Sequence, residues 1–215
     1  MNTPPDGLRK DTERLRRSVF MAMGFTAALW IIKIAEMVFD LSLAGYGIYP
    51  LQLMGLKGIV VAPLVHGNLS HLFANTAPLV ILGTALLYGY PKSAKIVLPS
   101  VYLGTGLCVW LFGRDAYHIG ASGLTFGVMF FILAIGILRW DTRAIALSMV
   151  VFFLYGSMIW GIFPIDPAVS FESHLAGAAI GVTLAICLKN YDPAPPRKTY
   201  SWEEHPEETD LDDDQ

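Results

Sequence analysis

The sequence predicts an all-α, polytopic membrane protein built on six transmembrane helices, and three observations lead there. Of 215 residues, 54% are hydrophobic and 15% charged, with a mean hydropathy of +0.50, a balance too apolar for a water-soluble domain. The charges are also segregated, with 14 of the 33 between Ser18 and Lys189 and the other 19 crowded into the 43 residues at the two ends. Finally, six stretches approach the roughly 20 apolar residues that a helix needs to cross hydrocarbon; they run over 18–40, 69–89, 95–113, 122–138, 144–165 and 172–189. The expected organisation is a basic segment 1–17, a membrane domain 18–189 and an acidic tail 190–215.

Taken in order, the polar opening MNTPPDGLRKDTERLRR precedes an apolar run that is too long for a signal peptide and lacks a small-residue cleavage site, so the first span is expected to stay. That span carries Lys33 and Glu36 at i, i+3, a spacing that reads as a mutual pair or as side chains snorkelling to one interface. The connection 41–68 is long yet apolar and is broken by Gly, Pro and Lys57; it is expected to lie partly in the outer leaflet with its backbone satisfied by protein. A seventh span there would spoil the charge asymmetry. The later spans carry charges only at their edges. Twelve Lys and Arg fall in the N-terminal segment, the 90–95 and 139–143 turns and the C-terminal side, against only Lys57 and Arg114 in the opposite loops. By the positive-inside rule both termini are then cytoplasmic, which requires an even number of spans.

Eight of the 18 acids lie between Glu203 and Asp214, in a stretch composed like a solvated, disordered tail. Cys108 and Cys187 sit inside apolar stretches and read as packing residues, not as a disulfide framework. Trp30, Trp110, Trp140 and Trp160 read as span-end anchors or packing residues, and His66, His118 and His205 as loop or tail residues.

Polar groups inside a span are costly and ask for a reason. In HGNLSHLFAN, His71 and Asn75 stand four apart on one helical face. The fourth span opens with HIGASGLTFG, which puts Ser122 at a helix start between Gly120 and Gly123. In ESHLAGAAIG at the start of the sixth span, His174, Gly177 and Gly181 share a side. Spans two, four and six all begin at the same face, so these groups lie within about 10 Å in depth of one another. A serine needs a base, usually histidine, to become a nucleophile. An acyl oxyanion needs fixed donors, which Asn, His and a helix N-terminal amide can provide. Gly177 and Gly181 form a small-xxx-small patch that allows close helix packing.

These three motifs, His-x-x-x-Asn, Gly-x-Ser-Gly and His-x-x-Gly-x-x-x-Gly on alternate spans, resemble the rhomboid intramembrane serine proteases over roughly residues 40–189. The resemblance implies a six-helix rhomboid-like bundle in which Ser122 is the nucleophile and His174 its base. It implies an oxyanion hole made by His71, Asn75 and the Ser122 amide, and an aromatic ring at Phe126, where Tyr is common, stacked on the base. Gly120, Gly123, Gly177 and Gly181 are the packing glycines of that site. The first loop lacks the Trp-Arg pair that many members carry, and no water-holding polar residues are matched in the third span. The implied reaction is hydrolysis of a peptide bond in or beside a substrate's transmembrane helix, without cofactor or metal. The expected partners are transmembrane protein substrates and the lipid bilayer, with no nucleic acid and the oligomeric state open. The expected location is a bacterial inner membrane with the site toward the outer face.

Two other classes share the polar residues. A metal site or metal transporter would draw on His66, His71, Glu172 and His174, but no His-Glu-x-x-His pair or repeated ligand spacing is present. A rhomboid-like protein that binds membrane clients without cutting them typically loses the Ser or His, or alters the residue before the serine; here Ala121, Ser122 and His174 fit activity.

Overall fold

The computed structural model describes residues 6–194. Seven α-helices follow in order: α1 Asp6–Val38, the single turn α2 Gly58–Val61, α3 Leu69–Gly89, α4 Pro91–Phe112, α5 Ser122–Arg139, α6 Thr142–Tyr155 and α7 Phe171–Leu188, with 3₁₀ turns at Ala44–Tyr46, Leu53–Lys57, Ala62–Leu64 and Gly156–Ile162. Six helical stretches among the described residues are long and apolar enough to cross a membrane, so the protein is an all-α, multi-pass membrane protein. Among the described residues the extended pairing is one isolated bridge, Ile48 to His118.

The first helix departs from the expected 18–40. It begins at Asp6 and runs 33 residues, about 50 Å at 1.5 Å per residue and well beyond a hydrocarbon core of about 30 Å. Leu, Lys, Arg and Glu are good helix formers, so the basic stretch continues the span's helix. Its exposed turns are anchored where the Tyr88 hydroxyl donates to Asp11 Oδ2 at 2.8 Å. The third span starts at Pro91 and not near 95. Proline suits the first helical position, and the Asp192 carboxylate accepts from Lys92 N and Ser93 N, both at 2.9 Å. The fifth span, expected over 144–165, begins at Thr142 under an Asp141 cap and tightens after Tyr155 into the 3₁₀ segment Gly156–Ile162.

The connection 41–68 does not cross the membrane. Its apolar helical part, Leu53–Leu64, is too short to span, and neighbouring elements satisfy its backbone. Tyr102 Oη donates to Val60 O at 2.6 Å, and Trp110 Nε1 to Gln52 O at 2.9 Å. Lys33 and Glu36 do pair, at 2.7 Å, but inside the protein and not by snorkelling. Lys33 Nζ also donates to His66 O at 3.0 Å and Gly67 O at 3.3 Å, and Glu36 Oε1 accepts from Leu43 N at 2.9 Å. The pair therefore staples both ends of this connection to α1.

α5 is the most enclosed helix and packs most intimately on α7. Buried Leu72, Leu82, Val97 and Val101 pack in the centre with Met129, Phe131 and Ile132 of α5 itself. Phe20, Ile31, Phe73, Phe112, Ile137 and Phe153 point outward, as lipid-facing positions do in a bundle whose interior is packed by small residues. Trp140 and Trp160 are exposed, whereas Trp30 is bonded through Nε1 to Thr76 Oγ1 at 3.0 Å and Trp110 through Nε1 to Gln52 O. Both cysteines are free; Cys187 is exposed and does not pack inside. His66 and His118 lie in connections but are deeply buried. His205 and the acidic run 203–214 lie outside the described residues.

Candidate active site

The starts of α3, α5 and α7 come together at one end of the bundle, and the expected polar groups meet there. Ser122 is the first residue of α5 and His174 lies in the first turn of α7. Ser122 Oγ and His174 Nε2 are 2.8 Å apart. The other ring nitrogen, Nδ1, lies 2.9 Å from Gly161 O. A carbonyl can only accept, so Nδ1 carries the proton and Nε2 of the neutral ring presents its lone pair to the Ser122 hydroxyl. The 3₁₀ turn after α6 thus does for the imidazole what a third acid does elsewhere: it fixes tautomer and direction. The Phe126 ring lies flat on His174, with centroids 4.0 Å apart and planes 4° apart.

Glycines make this approach possible. A Cβ on Gly177 would run into Gly123 O, and one on Gly181 into Gly127 O. Gly161 sits under the Phe126–His174 stack, where a Cβ would come 2.8 Å from Phe126 Cζ and 3.2 Å from His174 Nδ1. Gly120 adopts φ +108°, a conformation that side-chain-bearing residues rarely take, and a Cβ there would meet His71 Cε1 at 2.6 Å and Nε2 at 2.7 Å. The His71 ring is therefore seated directly on the backbone that leads into Ser122.

The α3 side is organised by capping. Asn68 Oδ1 accepts from His71 N at 2.7 Å, and Asn75 Nδ2 donates to His71 O at 3.0 Å. One Asn75 N–H is spent on its own helix and the second remains to be offered. As the first residue of a helix, Ser122 has an amide without an intrahelical partner. His71, Asn75, Ser122, Phe126 and His174 all line one cavity of about 780 Å³.

Loops roof its mouth. Arg114 Nη2 donates to Pro167 O at 2.9 Å and Val169 O at 2.7 Å, while Arg114 Nε faces Glu172 Oε1 at 3.5 Å. His118 Nδ1 lies 2.6 Å from Ser170 Oγ. Behind the site the His66 ring meets His71 edge to face at 5.0 Å, with both of its nitrogens buried and without a partner. His66, His71, Glu172 and His174 do not form a ligand cluster, and no group of three or more His, Cys, Asp or Glu does so among the described residues.

The sequence reading missed Gly161, Gly127 and the support given by Lys33 through the His66 backbone. Gly127 does carry a signal in the sequence, since Gly123 and Gly127 repeat on α5 the spacing of Gly177 and Gly181 on α7. Gly161 contributes a carbonyl and the space left by its missing side chain, and a carbonyl leaves no mark in a side-chain pattern.

The sequence model of the family described as Rhomboid domain matches residues 54–191. Similar proteins of Mycobacterium tuberculosis and Mycobacterium bovis, described only as uncharacterised, are each 36% identical over 186 residues, covering 81% of this chain and 75% of the relative. An uncharacterised protein of Mycobacterium leprae is 34% identical over 215 residues, covering 92% and 82%. With its six spans and these matches, the chain is an integral, multi-pass membrane protein that belongs to the rhomboid family, a family known for intramembrane serine proteases.

Proposed function

We propose that this protein is an intramembrane serine endopeptidase that hydrolyses peptide bonds in or beside the transmembrane segments of other membrane proteins. The observation that carries the reading is the 2.8 Å contact between Ser122 Oγ and His174 Nε2, on a ring whose second nitrogen is already committed to Gly161 O.

In this mechanism His174 Nε2 takes the hydroxyl proton as Ser122 Oγ adds to the scissile carbonyl carbon. The oxyanion that forms is met by the Ser122 amide, the His71 ring and the free N–H of Asn75. His174 then gives its proton to the departing amine as the C–N bond breaks, leaving an acyl ester on Ser122. Water, deprotonated by the same ring, repeats the addition and releases the acid and the free serine. An intact substrate helix protects its carbonyls, so the substrate must unwind locally as it enters the cavity, and helix-breaking residues near the cut favour this. The excess of Lys and Arg at the opposite end of the bundle supports a cytoplasmic position for both termini and an outward-facing site, in a bacterial inner membrane.

The test is cleavage of a single-span reporter by the purified protein, together with covalent labelling by a serine-directed phosphonate. Wild type should cleave and label, while Ser122→Ala and His174→Ala should insert normally yet lose cleavage, and Ser122→Ala should lose the label. Cleavage by Ser122→Ala at the wild-type rate would exclude the proposed nucleophile.

A further inference from the structure

The end of the bundle away from Ser122 and His174 holds a second polar cavity, of about 560 Å³, lined by Asp11, Arg14, Tyr88, Lys92, Arg143 and Asp192. It brings cations from α1, α4 and α6 around one volume at the level where α4 and α6 begin. The two carboxylates in its wall are already engaged. Both Asp192 oxygens accept backbone N–H groups of α4, and Asp11 Oδ2 accepts the Tyr88 hydroxyl. Among the described residues the ion pairs are Lys33–Glu36, Arg114–Glu172 and Arg139–Asp141, so Arg14, Lys92 and Arg143 have no carboxylate within 4.0 Å there. The two guanidinium groups are held in place, with Arg14 6.0 Å above the Tyr88 ring and Arg143 5.9 Å above that of Tyr90. Arg143 Nη2 also donates to Pro193 O.

A free anion would be served by the cations alone, but α1, α3 and α4 continue differently. Deeper along these three helices lies an almost wholly apolar crevice of about 480 Å³, walled by Met21, Phe25, Leu82, Leu87, Leu98 and Leu103. Leu87 adjoins Tyr88 in the chain. Met21 is seven residues beyond Arg14 and Leu98 six beyond Lys92, so the crevice begins about 10 Å below the cations by the helix rise. α1, α3 and α4 wall both the cationic chamber, which α6 closes, and the apolar slot, which α5 closes, and such a pair matches a molecule with an anionic head and a hydrocarbon tail.

We propose that this pair of cavities is a binding site for one anionic glycerophospholipid, its phosphate among Arg14, Lys92 and Arg143 and an acyl chain in the crevice between α1, α3 and α4. Basic pockets between spans are suited to such head groups. Thr125 and Pro78 line both the crevice and the cavity that holds Ser122. The crevice and the cavity that holds Ser122 therefore share a wall at these two residues. The binding itself does not depend on the proteolytic reading.

The experiment is native mass spectrometry of the full-length protein in neutral detergent, titrated with dioleoyl phosphatidylglycerol, dioleoyl phosphatidylcholine, dihexanoyl phosphatidylglycerol and inorganic phosphate. A single phosphatidylglycerol should be retained at least tenfold more tightly than phosphatidylcholine, and the dioleoyl form more tightly than the dihexanoyl one. Arg14→Gln with Arg143→Gln should remove the preference for the anionic head. Lys92→Gln, at an exposed side chain, should by itself reduce the preference severalfold and serves as the test where the double variant does not fold. Equal retention of both lipids, or a preference unchanged in Lys92→Gln and the double variant, overturns the proposal. So does inorganic phosphate competing as well as the long-chain lipid, which would mark a free-anion site. Phosphatidylglycerol that binds only after the eight acids between Glu203 and Asp214 are changed to amides would mark the chain's own tail as the occupant, with the same consequence.

Discussion

Gly177→Ala adds one carbon at the point where α5 and α7 touch, and its consequence can be worked through from the backbone. The new Cβ would run into Gly123 O while lying 3.1 Å from Gly123 C and 3.2 Å from Gly127 N. These three nearest atoms are all backbone, so no side-chain rotation relieves the contact and the helices must part by about 1 Å. Ser122 precedes Gly123 by one residue, and His174 precedes Gly177 by less than a turn. The 2.8 Å contact between Oγ and Nε2 then opens to nearly 4 Å, beyond hydrogen-bond range. A misplacement of this size costs about 10²-fold in rate, and the overpacking costs about 1–3 kcal/mol in stability. Gly24→Ala on α1, where a Cβ meets nothing within 4 Å, is the matched control and should leave the rate unchanged and not lower the stability, since Ala favours a helix interior over Gly. The assays are kcat for the single-span reporter, the rate of phosphonate labelling and the melting temperature in micelles. A Gly177→Ala protein that melts and turns over like wild type would refute the close approach at this glycine and the argument built on it.

Two further outcomes test the support behind the site. Lys33→Met leaves Glu36 charged and buried without its partner, a change expected to cost about 3–5 kcal/mol, whereas Lys33→Met with Glu36→Leu should recover most of that loss; thermal unfolding of the single and double variants checks this, and equal losses would show that the pair is not coupled. Burial, reinforced by neighbouring His71, lowers the His66 pKa from 6.5 to about 4. The unfolded chain therefore takes up this proton first, so stability is unaffected above about pH 6.5 and falls as pH drops toward 4, by about 3 kcal/mol in all. Unfolding of His66→Phe at pH 7 and pH 4.5 should lack that part of the slope, and a slope identical to wild type would show that His66 is not the group responsible.

The six spans and the meeting of His71, Asn75, Ser122 and His174 at one depth were legible in the chain because both rest on side-chain identity along single helices. Few charges inside the body made each polar residue stand out, and a parity argument from Lys and Arg placed the starts of three spans at one face. The helix ends were less legible. Apolar content marks where hydrocarbon ends and not where hydrogen bonding ends, so α1 begins twelve residues before its apolar stretch. In the same way, the apolar stretch of the fifth span runs on to Ile162 although 3₁₀ geometry replaces its last turns from Gly156.

What hydropathy, charge and spacing determined about this protein is its class, its number of spans and which residue types face one another in depth. What the tertiary structure decided is contact. The carbonyl of Gly161 chooses the His174 tautomer from thirteen residues away, and the ammonium of Lys33 holds the backbone of His66 from another helix. The cations of α1, α4 and α6 close around a single chamber. Each of these depends on a backbone group, or on a distance between segments remote in the chain. Residue identity encodes neither, because every residue carries the same carbonyl and every residue but proline the same N–H, and only packing determines which of them a side chain reaches.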